Sequence, residues 1–309
     1  MYKYISFFIL ISTSFLFSNC KDNQLPVIEN KPPASTQYGD PIPYQLDAPA
    51  HSFDLARDLK EISGLTYYSN KKNILAINDE KGKAFSLDPT SGKITERVDF
   101  GRSADYEGIT HKNEEIFVVE SNGDLIAFNF DEKYGPIKFK TKLSRKNDIE
   151  GICYNPSTST LLLAAKGSGK ISGKESKSKS IFSMDLESKK VSDIPFIKVN
   201  LEKTIEKLKK LEPEKFDVTN YQMTRARKFS PSGIAVHPVS NEIYVLSSRG
   251  KLLVVFNQKG ELKSLQFLKD QLYTQPEGIC FGPDNMLYIS NEGRAGKATL
   301  LSFKPTGSN

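Results

Sequence analysis

A chain of 309 residues can hold two average domains or one large all-β domain. Its 20 Gly and 16 Pro match average usage, which excludes collagen-like and low-complexity sequences, and the absence of Trp argues against a tryptophan-signed repeat. The net charge of +6 is small for this length and does not predict a nucleic-acid-binding protein. Only His51, His111 and His237 are present, so a mechanism that depends on a histidine cluster is nearly excluded.

The first twenty residues have the pattern of an export signal. A short positive segment at residues 1–3 precedes an apolar run, residues 4–17, that is too short to span a bilayer well. The run ends in Phe-Ser-Asn-Cys, which resembles a bacterial lipobox although its Phe and Asn are not the commonest residues there. We therefore predict a lipoprotein signal peptide over residues 1–20 with lipidation at Cys20, and a simple secreted protein is the alternative.

The residues after Cys20 are rich in Pro, Asn and Ser up to residue 41. This composition predicts a flexible tether over residues 21–41, followed by a single domain over residues 42–309. Together with the lipobox, it predicts a protein anchored by lipid in the bacterial cell envelope, at the outer membrane or in the periplasm. Cys153 and Cys280 remain, and each follows a Glu-Gly-Ile triplet. They could pair in an oxidising compartment, but their expected strands fall in non-adjacent repeats, which favours two buried free thiols.

Five segments of the chain begin alike, with Glu or Ser, then Gly, then Ile or Leu. The spacings between their glycines are 44, 43, 82 and 45 residues. Two further apolar strands follow each head, and Gly-containing turns then lead into a fourth strand. A period in the low forties with four strands per unit predicts an all-β protein, a five-bladed β-propeller of antiparallel strands. The heads are Ser63-Gly64-Leu65, Glu107-Gly108-Ile109, Glu150-Gly151-Ile152, Ser232-Gly233-Ile234 and Glu277-Gly278-Ile279.

The interval of 82 residues contains one set of strands and two insertions, so we predict five blades rather than six. Residues 166–180 form a Lys/Ser/Gly-rich stretch that is typical of a solvated loop. Residues 201–211 carry apolar side chains at i, i+4, i+7 and i+10, which predicts an amphipathic helix between blades 3 and 4, packed on the outer rim.

The fifth segment ends after its third strand, at Phe303. An open ring would leave an unpaired strand edge, which folded proteins avoid. We therefore expect the missing outer strand to come from ahead of the first blade, and residues 43–47 are the predicted closing strand.

The export segment, the five heads and strand ends such as Asn78-Asp79-Glu80 resemble the SdiA-regulated β-propeller family. The resemblance covers residues 42–305. It implies an envelope-associated five-bladed propeller, distantly related to NHL-repeat and phytase-like propellers. It also implies a bound calcium ion and no established catalytic activity.

The residues themselves also indicate a cation site. In a propeller blade the first strand begins, and the second ends, on the same face of the ring near its axis. Carboxylates brought together there would raise one another's pKa unless a cation neutralised them, and calcium accepts six to eight oxygen ligands. Two alternatives are that the glutamates lock adjacent blades by accepting backbone N–H bonds, or that they contact a substrate. The predicted ligands are Glu107, Glu150, Glu277, Asp79, Glu80, Glu120 and Glu292.

Basic residues near the same face suggest a weaker site for an anionic ligand, at Lys166, Arg249 and Arg294. Together with calcium and Lys297, such groups could support a phytase-like or esterase-like hydrolase, which is the alternative function. Against catalysis, the sequence has no dense run of Asp pairs and no Gly-x-Ser-x-Gly motif, and His111 and His237 are expected on the opposite face as turn or hairpin residues. The favoured function is a non-catalytic, monomeric binding or scaffold module for an envelope protein or an anionic small molecule.

Overall fold

The computed structural model describes residues 37–130, 135–172, 176 and 178–307. Within them, the strands form five antiparallel sheets. The predicted signal peptide, Cys20 and most of the predicted tether lie outside the described residues. In chain order the strands are β1 (Gln37–Gly39), β2 (His51–Asp54), β3 (Ile62–Tyr68), β4 (Asn73–Asn78), β5 (Lys83–Leu87), β6 (Ile94–Asp99), β7 (Tyr106–Lys112), β8 (Glu115–Glu120), β9 (Leu125–Phe128), β10 (Ile137–Phe139), β11 (Ile149–Asn155), β12 (Thr160–Ala165), β13 (Lys179–Asp185), β14 (Ile197–Val199), β15 (Ser230–Val236), β16 (Ile243–Arg249), β17 (Leu252–Phe256), β18 (Leu262–Phe267), β19 (Pro276–Phe281), β20 (Leu287–Asn291) and β21 (Thr299–Phe303).

The five sheets are the blades of a ring. Blade 1 is β3 to β6, blade 2 is β7 to β10, blade 3 is β11 to β14, blade 4 is β15 to β18, and blade 5 is β19 to β21 completed by β2. The first strands contact one another in a closed cycle, because β3 contacts β7, β7 contacts β11, β11 contacts β15, β15 contacts β19, and β19 contacts β3. The predicted five-bladed β-propeller with four antiparallel strands per blade is therefore confirmed.

The hydrophobic core consists of five layers, one between each pair of neighbouring blades. Leu162 of blade 3 and Val245 of blade 4 share one layer, for example, and Phe117 of blade 2 packs with Leu163 of blade 3 in another. Since each blade is covered on both faces, its second strand is a nearly continuous apolar run. This is why the second strands were the clearest elements in the sequence.

Two helices lie in the connection between blades 3 and 4, α1 (Leu201–Leu211) and α2 (Asn220–Ala226). α1 spans the predicted residues, and the side chain of Asn200 caps its N-terminus. Leu201 and Ile205 are buried in the layer between the two blades, so the predicted rim packing of this helix is confirmed. α2 was not predicted. In the part of the chain that the structure describes, no helix has both the length and the hydropathy needed to cross a membrane.

The ring is closed by an N-terminal strand, as predicted, but not by residues 43–47. β2 pairs antiparallel with β21 and is the outer strand of blade 5. Residues 43–47 instead run past the ends of blades 4 and 5, where Tyr44 and Leu46 are buried in the layer between them. Tyr44 and Leu46 alternate with less buried residues, as in a strand, because they pack into this layer.

A second correction concerns the boundary between the predicted tether and the domain. β1 pairs with β18 and adds a fifth strand to the outer edge of blade 4. The Tyr38 hydroxyl donates a hydrogen bond to Gln222 at 2.6 Å, and the carboxylate of Asp40 lies 2.6 Å from the ammonium of Lys263. The prediction of a flexible tether is therefore wrong for residues 37–41, which are part of the folded domain.

Candidate functional site

Each first strand begins with a β-bulge at the propeller axis. In blade 2, Tyr106 is opposite Glu120 and Gly108 is opposite Val119, so Glu107 is an extra residue with no partner in the ladder. A bulge of this kind bends the strand and re-aims a side chain. The glycine that follows was the sequence signal for the bulge, because an isolated Gly in a strand often marks one. The equivalent extra residues are Ser63, Glu150, Ser232 and Glu277.

The glycine of each head lets the five first strands approach closely. An added Cβ at Gly108 would lie 2.9 Å from the backbone nitrogen of Ile152, and one at Gly64 would lie 2.8 Å from the Cα of Gly108. The space left at the axis is about 10 Å³, which is room for about one water molecule. We call this constriction the axial plug, and it consists of Gly64, Gly108, Gly151, Gly233 and Gly278 with the aliphatic residues that follow them, Leu65, Ile109, Ile152, Ile234 and Ile279.

On one side of the axial plug is a cavity of about 160 Å³, which we call the acidic cavity. Its carboxylates come from blades 1, 2, 3 and 5 and from the connections between them. Five of the seven predicted ligands are brought together here. The charged residues that line it are Glu61, Asp79, Glu107, Glu150, Glu277, Glu292 and Lys166.

The other two predicted ligands lie outside the acidic cavity. Glu80 is exposed, and its backbone N–H donates to the side-chain oxygen of Asn78 at 3.0 Å. Glu120 is buried, but its carboxylate lies 2.7 Å from the ammonium of Lys138 on the outer strand of blade 2. Both residues lie at or just after the end of a second strand, as the prediction required. Glu80 is in an exposed turn and Glu120 is held in an ion pair, so neither carboxylate lines the cavity.

The predicted basic residues are dispersed. Lys166 lies in the acidic cavity, whereas Arg249 and Arg294 are exposed and are absent from its described lining. The ammonium of Lys297, one of the groups considered for phosphate binding in the hydrolase alternative, lies 2.8 Å from Asp54 of the closing strand and is absent from the described lining of the acidic cavity.

The polar side chains of the acidic cavity are partly paired with one another. The Lys166 ammonium donates to Glu150 and lies 3.8 Å from Asp148. The amide of Gln275 donates to Glu277 at 2.9 Å and also to Glu292. Lys166 is the one cation among the charged residues lining the described cavity, so it leaves several carboxylates without a counter-charge.

One alternative for the glutamates was that they join adjacent blades by hydrogen bonds. In the structure, Ser63 and Ser232 make such bonds. The Ser63 hydroxyl donates to the carbonyl oxygen of Tyr106 at 2.7 Å, and the Ser232 hydroxyl donates to that of Pro276 at 2.8 Å. Each bond joins one blade to the next. Ser and Glu at the same bulge therefore have different roles, since the serine hydroxyls join blades, whereas the glutamates supply carboxylates to the acidic cavity.

The electrostatics of the acidic cavity disfavour ionised carboxylates. Burial raises the pKa of Glu277 to about 8, although the hydrogen bond from Gln275 opposes the shift. Burial, together with the charges of Glu61 and other nearby acids, raises the pKa of Asp79 to about 6. Burial and the neighbouring Glu150 raise the pKa of Glu107 well above its ordinary range. Some of these groups therefore hold protons at neutral pH unless another positive charge is present.

The donor set fits a hard cation. Asp79 Oδ1 and Gln275 Oε1 are buried acceptors without a hydrogen-bond partner in the described structure. Carboxylate and amide oxygens are the ligands that calcium prefers. Among the described residues, no three Asp, Glu, His or Cys side chains already lie close enough to form a metal cluster. An ion would therefore have to draw carboxylate, amide and water oxygens together.

The fold and this site define a class, the five-bladed β-propellers with an acidic cavity on the axis. A family model described as SdiA-regulated matches residues 44–294, and the chain belongs to this family. This confirms the resemblance found in the sequence. No curated protein matches the chain.

Solved structures with a similar fold include enzymes. The glutaminyl cyclase of Myxococcus xanthus is 11% identical with a TM-score of 0.55, over 85% of this chain and 97% of that one. The PQQ-bound aldose sugar dehydrogenase of Streptomyces coelicolor is 12% identical with a TM-score of 0.50, over 88% and 99% of the two chains. At these identities the similarity shows the fold alone.

Proposed function

We propose that the acidic cavity binds a calcium ion and that the protein is a non-catalytic, calcium-binding module of the cell envelope. The observation that supports this most directly is that the cavity holds more carboxylates than its one lysine can neutralise. Buried carboxylates with raised pKa values surround two buried oxygens that have no hydrogen-bond partner. A divalent cation would stabilise the ionised carboxylates and satisfy both oxygens.

The residues that would hold the ion come from three blades. Asp79 Oδ1 and Gln275 Oε1 supply the unpartnered oxygens, and the carboxylates of Glu107 and Glu277 complete the charged set. Glu150 is already paired with Lys166. The ion would supply positive charge at the axis, and its ligands would then connect blades 1, 2 and 5. A face of the ring made rigid in this way is suited to presenting loops to a partner.

The proposal is tested by thermal and chemical unfolding of the protein in calcium, in magnesium and in chelator. A ligand that binds only the folded state stabilises it by about 2.7 kcal/mol at 100 times its Kd. Glu107→Gln should reduce this calcium-dependent gain, because it removes one negative charge from the cavity while keeping the side chain's shape. Glu80→Gln is the matched control, since Glu80 is exposed and outside the cavity, and it should behave as the wild type.

Two results would contradict the calcium proposal. One is a wild-type protein whose unfolding midpoint does not change up to about millimolar calcium. The other is an equal loss of the calcium effect in Glu107→Gln and Glu80→Gln, which would place the ion elsewhere.

We also propose that the protein is anchored to the envelope through a lipid on Cys20. Support comes from the Phe-Ser-Asn-Cys sequence after a short apolar run. Cys20→Ala should move the protein from the membrane fraction to a soluble fraction, whereas Cys153→Ala, which changes a buried thiol of the propeller, should not. If Cys20→Ala fractionates with membranes as the wild type does, the anchor is not at this cysteine.

A further inference from the structure

The side of the axial plug opposite the acidic cavity opens into a bowl of about 970 Å³, which we call the distal bowl. Ligand sites commonly have volumes of about 300–1,000 Å³, so the bowl can hold a small molecule. The aliphatic side chains of the axial plug form its floor, and the ends of the five first strands form its wall. It shares no described lining residue with the acidic cavity, so it is a separate site.

Aromatic side chains stand on the wall of the distal bowl. Tyr67, Tyr154 and Phe281 come from blades 1, 3 and 5, each two residues beyond the plug residue of its strand. All three are half-buried and line the bowl, and the ammonium of Lys112 lies 5.6 Å from the ring centroid of Tyr154. Exposed aromatic faces in a concave site contribute large contact areas to binding.

The wall is held in place before any ligand binds. His111 lies against the wall with Nε2 at 2.8 Å from the carbonyl oxygen of Tyr67 and Nδ1 at 3.0 Å from that of Asn113. The ring of Phe281 contacts those of His237 and Tyr244, with centroids 4.8 Å and 5.1 Å apart. A preformed site loses little conformational freedom on binding, which favours affinity.

The lining of the distal bowl is two-sided. Blades 4 and 5 contribute Val236, Pro238 and Phe281, which are apolar or aromatic. Blades 1 and 2 contribute hydroxyl, amide and charged groups, and the charged groups are one ammonium and two carboxylates. The charged groups on that side are Lys112, Glu114 and Glu115, and its uncharged polar groups include Ser69, Asn70 and Asn113.

We propose that the distal bowl binds a neutral sugar. A sugar ring presents C–H groups on its faces, which pack on aromatic rings, and hydroxyls at its edge, which both donate and accept hydrogen bonds. The apolar and polar sides of the bowl match these two surfaces. Sugar hydroxyls can donate to the two carboxylates and accept from the ammonium, and the volume of the bowl suits one or two sugar rings.

The test is binding of glucose, galactose, mannose, N-acetylglucosamine and their disaccharides to the purified protein. Saturation-transfer NMR detects sugar binding directly. Tyrosine fluorescence gives an independent measurement without a Trp background, and its assignment to the bowl rests on the loss of the signal change in the Tyr67 and Tyr154 variants, because the chain has 13 Tyr. At least one of these sugars should bind with a Kd of about 10 mM or tighter, and Tyr67→Ala and Tyr154→Ala should each weaken binding about tenfold.

Matched variants separate a role in binding from a role in folding. Tyr154→Phe keeps the ring and should retain most of the affinity, whereas Tyr154→Leu keeps apolar volume without a ring and should lose it. Sugar affinity should be the same in calcium and in chelator, because the bowl shares no described lining residue with the acidic cavity, so failure of the calcium proposal and failure of this one can be told apart. If none of the sugars binds, if binding survives both alanine variants, or if only the charged analogues glucuronate or glucosamine bind, the proposal is wrong.

Discussion

Removing the charge of Glu277 with Glu277→Gln should change how the stability of the protein depends on pH. The pKa of Glu277 is raised in the folded state, mainly by burial, so the folded state binds a proton more tightly than the unfolded state does. Between the ordinary and the raised pKa, the unfolded state ionises first, and rising pH therefore destabilises the wild type. Glutamine does not titrate, so the variant lacks this contribution.

The size of the effect follows from the shift. A rise from 4.5 to about 8 corresponds to an upper limit of about 5 kcal/mol at about 1.4 kcal/mol per pH unit. The cavity is open to solvent on one side, and water entering it would reduce the effect. We therefore expect the free energy of unfolding of Glu277→Gln, relative to that of the wild type, to rise by at least about 2 kcal/mol between about pH 5 and about pH 8.

The measurement is urea unfolding of both proteins in chelator across this pH range. Parallel stability curves for the two proteins would refute the argument, because they would show that Glu277 has the same pKa in the folded and unfolded states. In calcium, the fall in wild-type stability with pH should be smaller if the ion binds the ionised carboxylate. If stability changes with pH as expected but not with calcium, the raised pKa of Glu277 is supported and the proposed calcium ion is contradicted.

Two further predictions concern the ring. Gly108→Ala places a Cβ 2.9 Å from the backbone nitrogen of Ile152 and should lower the free energy of unfolding by about 1–3 kcal/mol or more. Gly135→Ala is the control and should have little effect, because its Cβ meets no atom within 4 Å. Similar losses for the two variants in urea unfolding would contradict the role of the axial plug. A chain that begins at residue 51 loses the buried Leu46 but keeps β2, whereas a chain that begins at residue 55 also loses β2. The shorter chain should therefore melt at a lower temperature. Equal melting midpoints would show that β2 does not close the ring.

The sequence predicted those parts of the fold whose signal is local and repeated. The second strands are apolar on both faces because neighbouring blades cover them, and the heads recur because the axial plug requires glycine in every blade. β2 was missed because an outer strand needs little hydrophobic surface. Its four residues, His-Ser-Phe-Asp, are exposed or half-buried. In residues 43–47, by contrast, Tyr44 and Leu46 are buried because they pack in the layer between blades 4 and 5.

The candidate site could be predicted only in part, because its ligands were inferred from position along the chain. Glu107 and Glu150 occupy bulges that aim at the axis, so position was a sufficient guide. Glu120 ends its strand in the same way, but Lys138, two strands further out in the sheet, pairs with it. The distal bowl was not predicted at all, since its wall combines residues from all five blades whose spacing matches ordinary strand alternation.

The pairing of β2 with β21 has a consequence for how the chain folds. The two strands lie near opposite ends of the sequence, so the last blade cannot be completed until almost the whole chain is available. Contacts between such distant segments form slowly, because the entropy of closing a long loop opposes them. The first four blades each contain their own four strands and can form from contiguous stretches as the chain emerges. Ring closure is then the last event, and until it occurs the outer edge of β21 leaves backbone N–H and C=O groups unpaired and available to a strand of another protein.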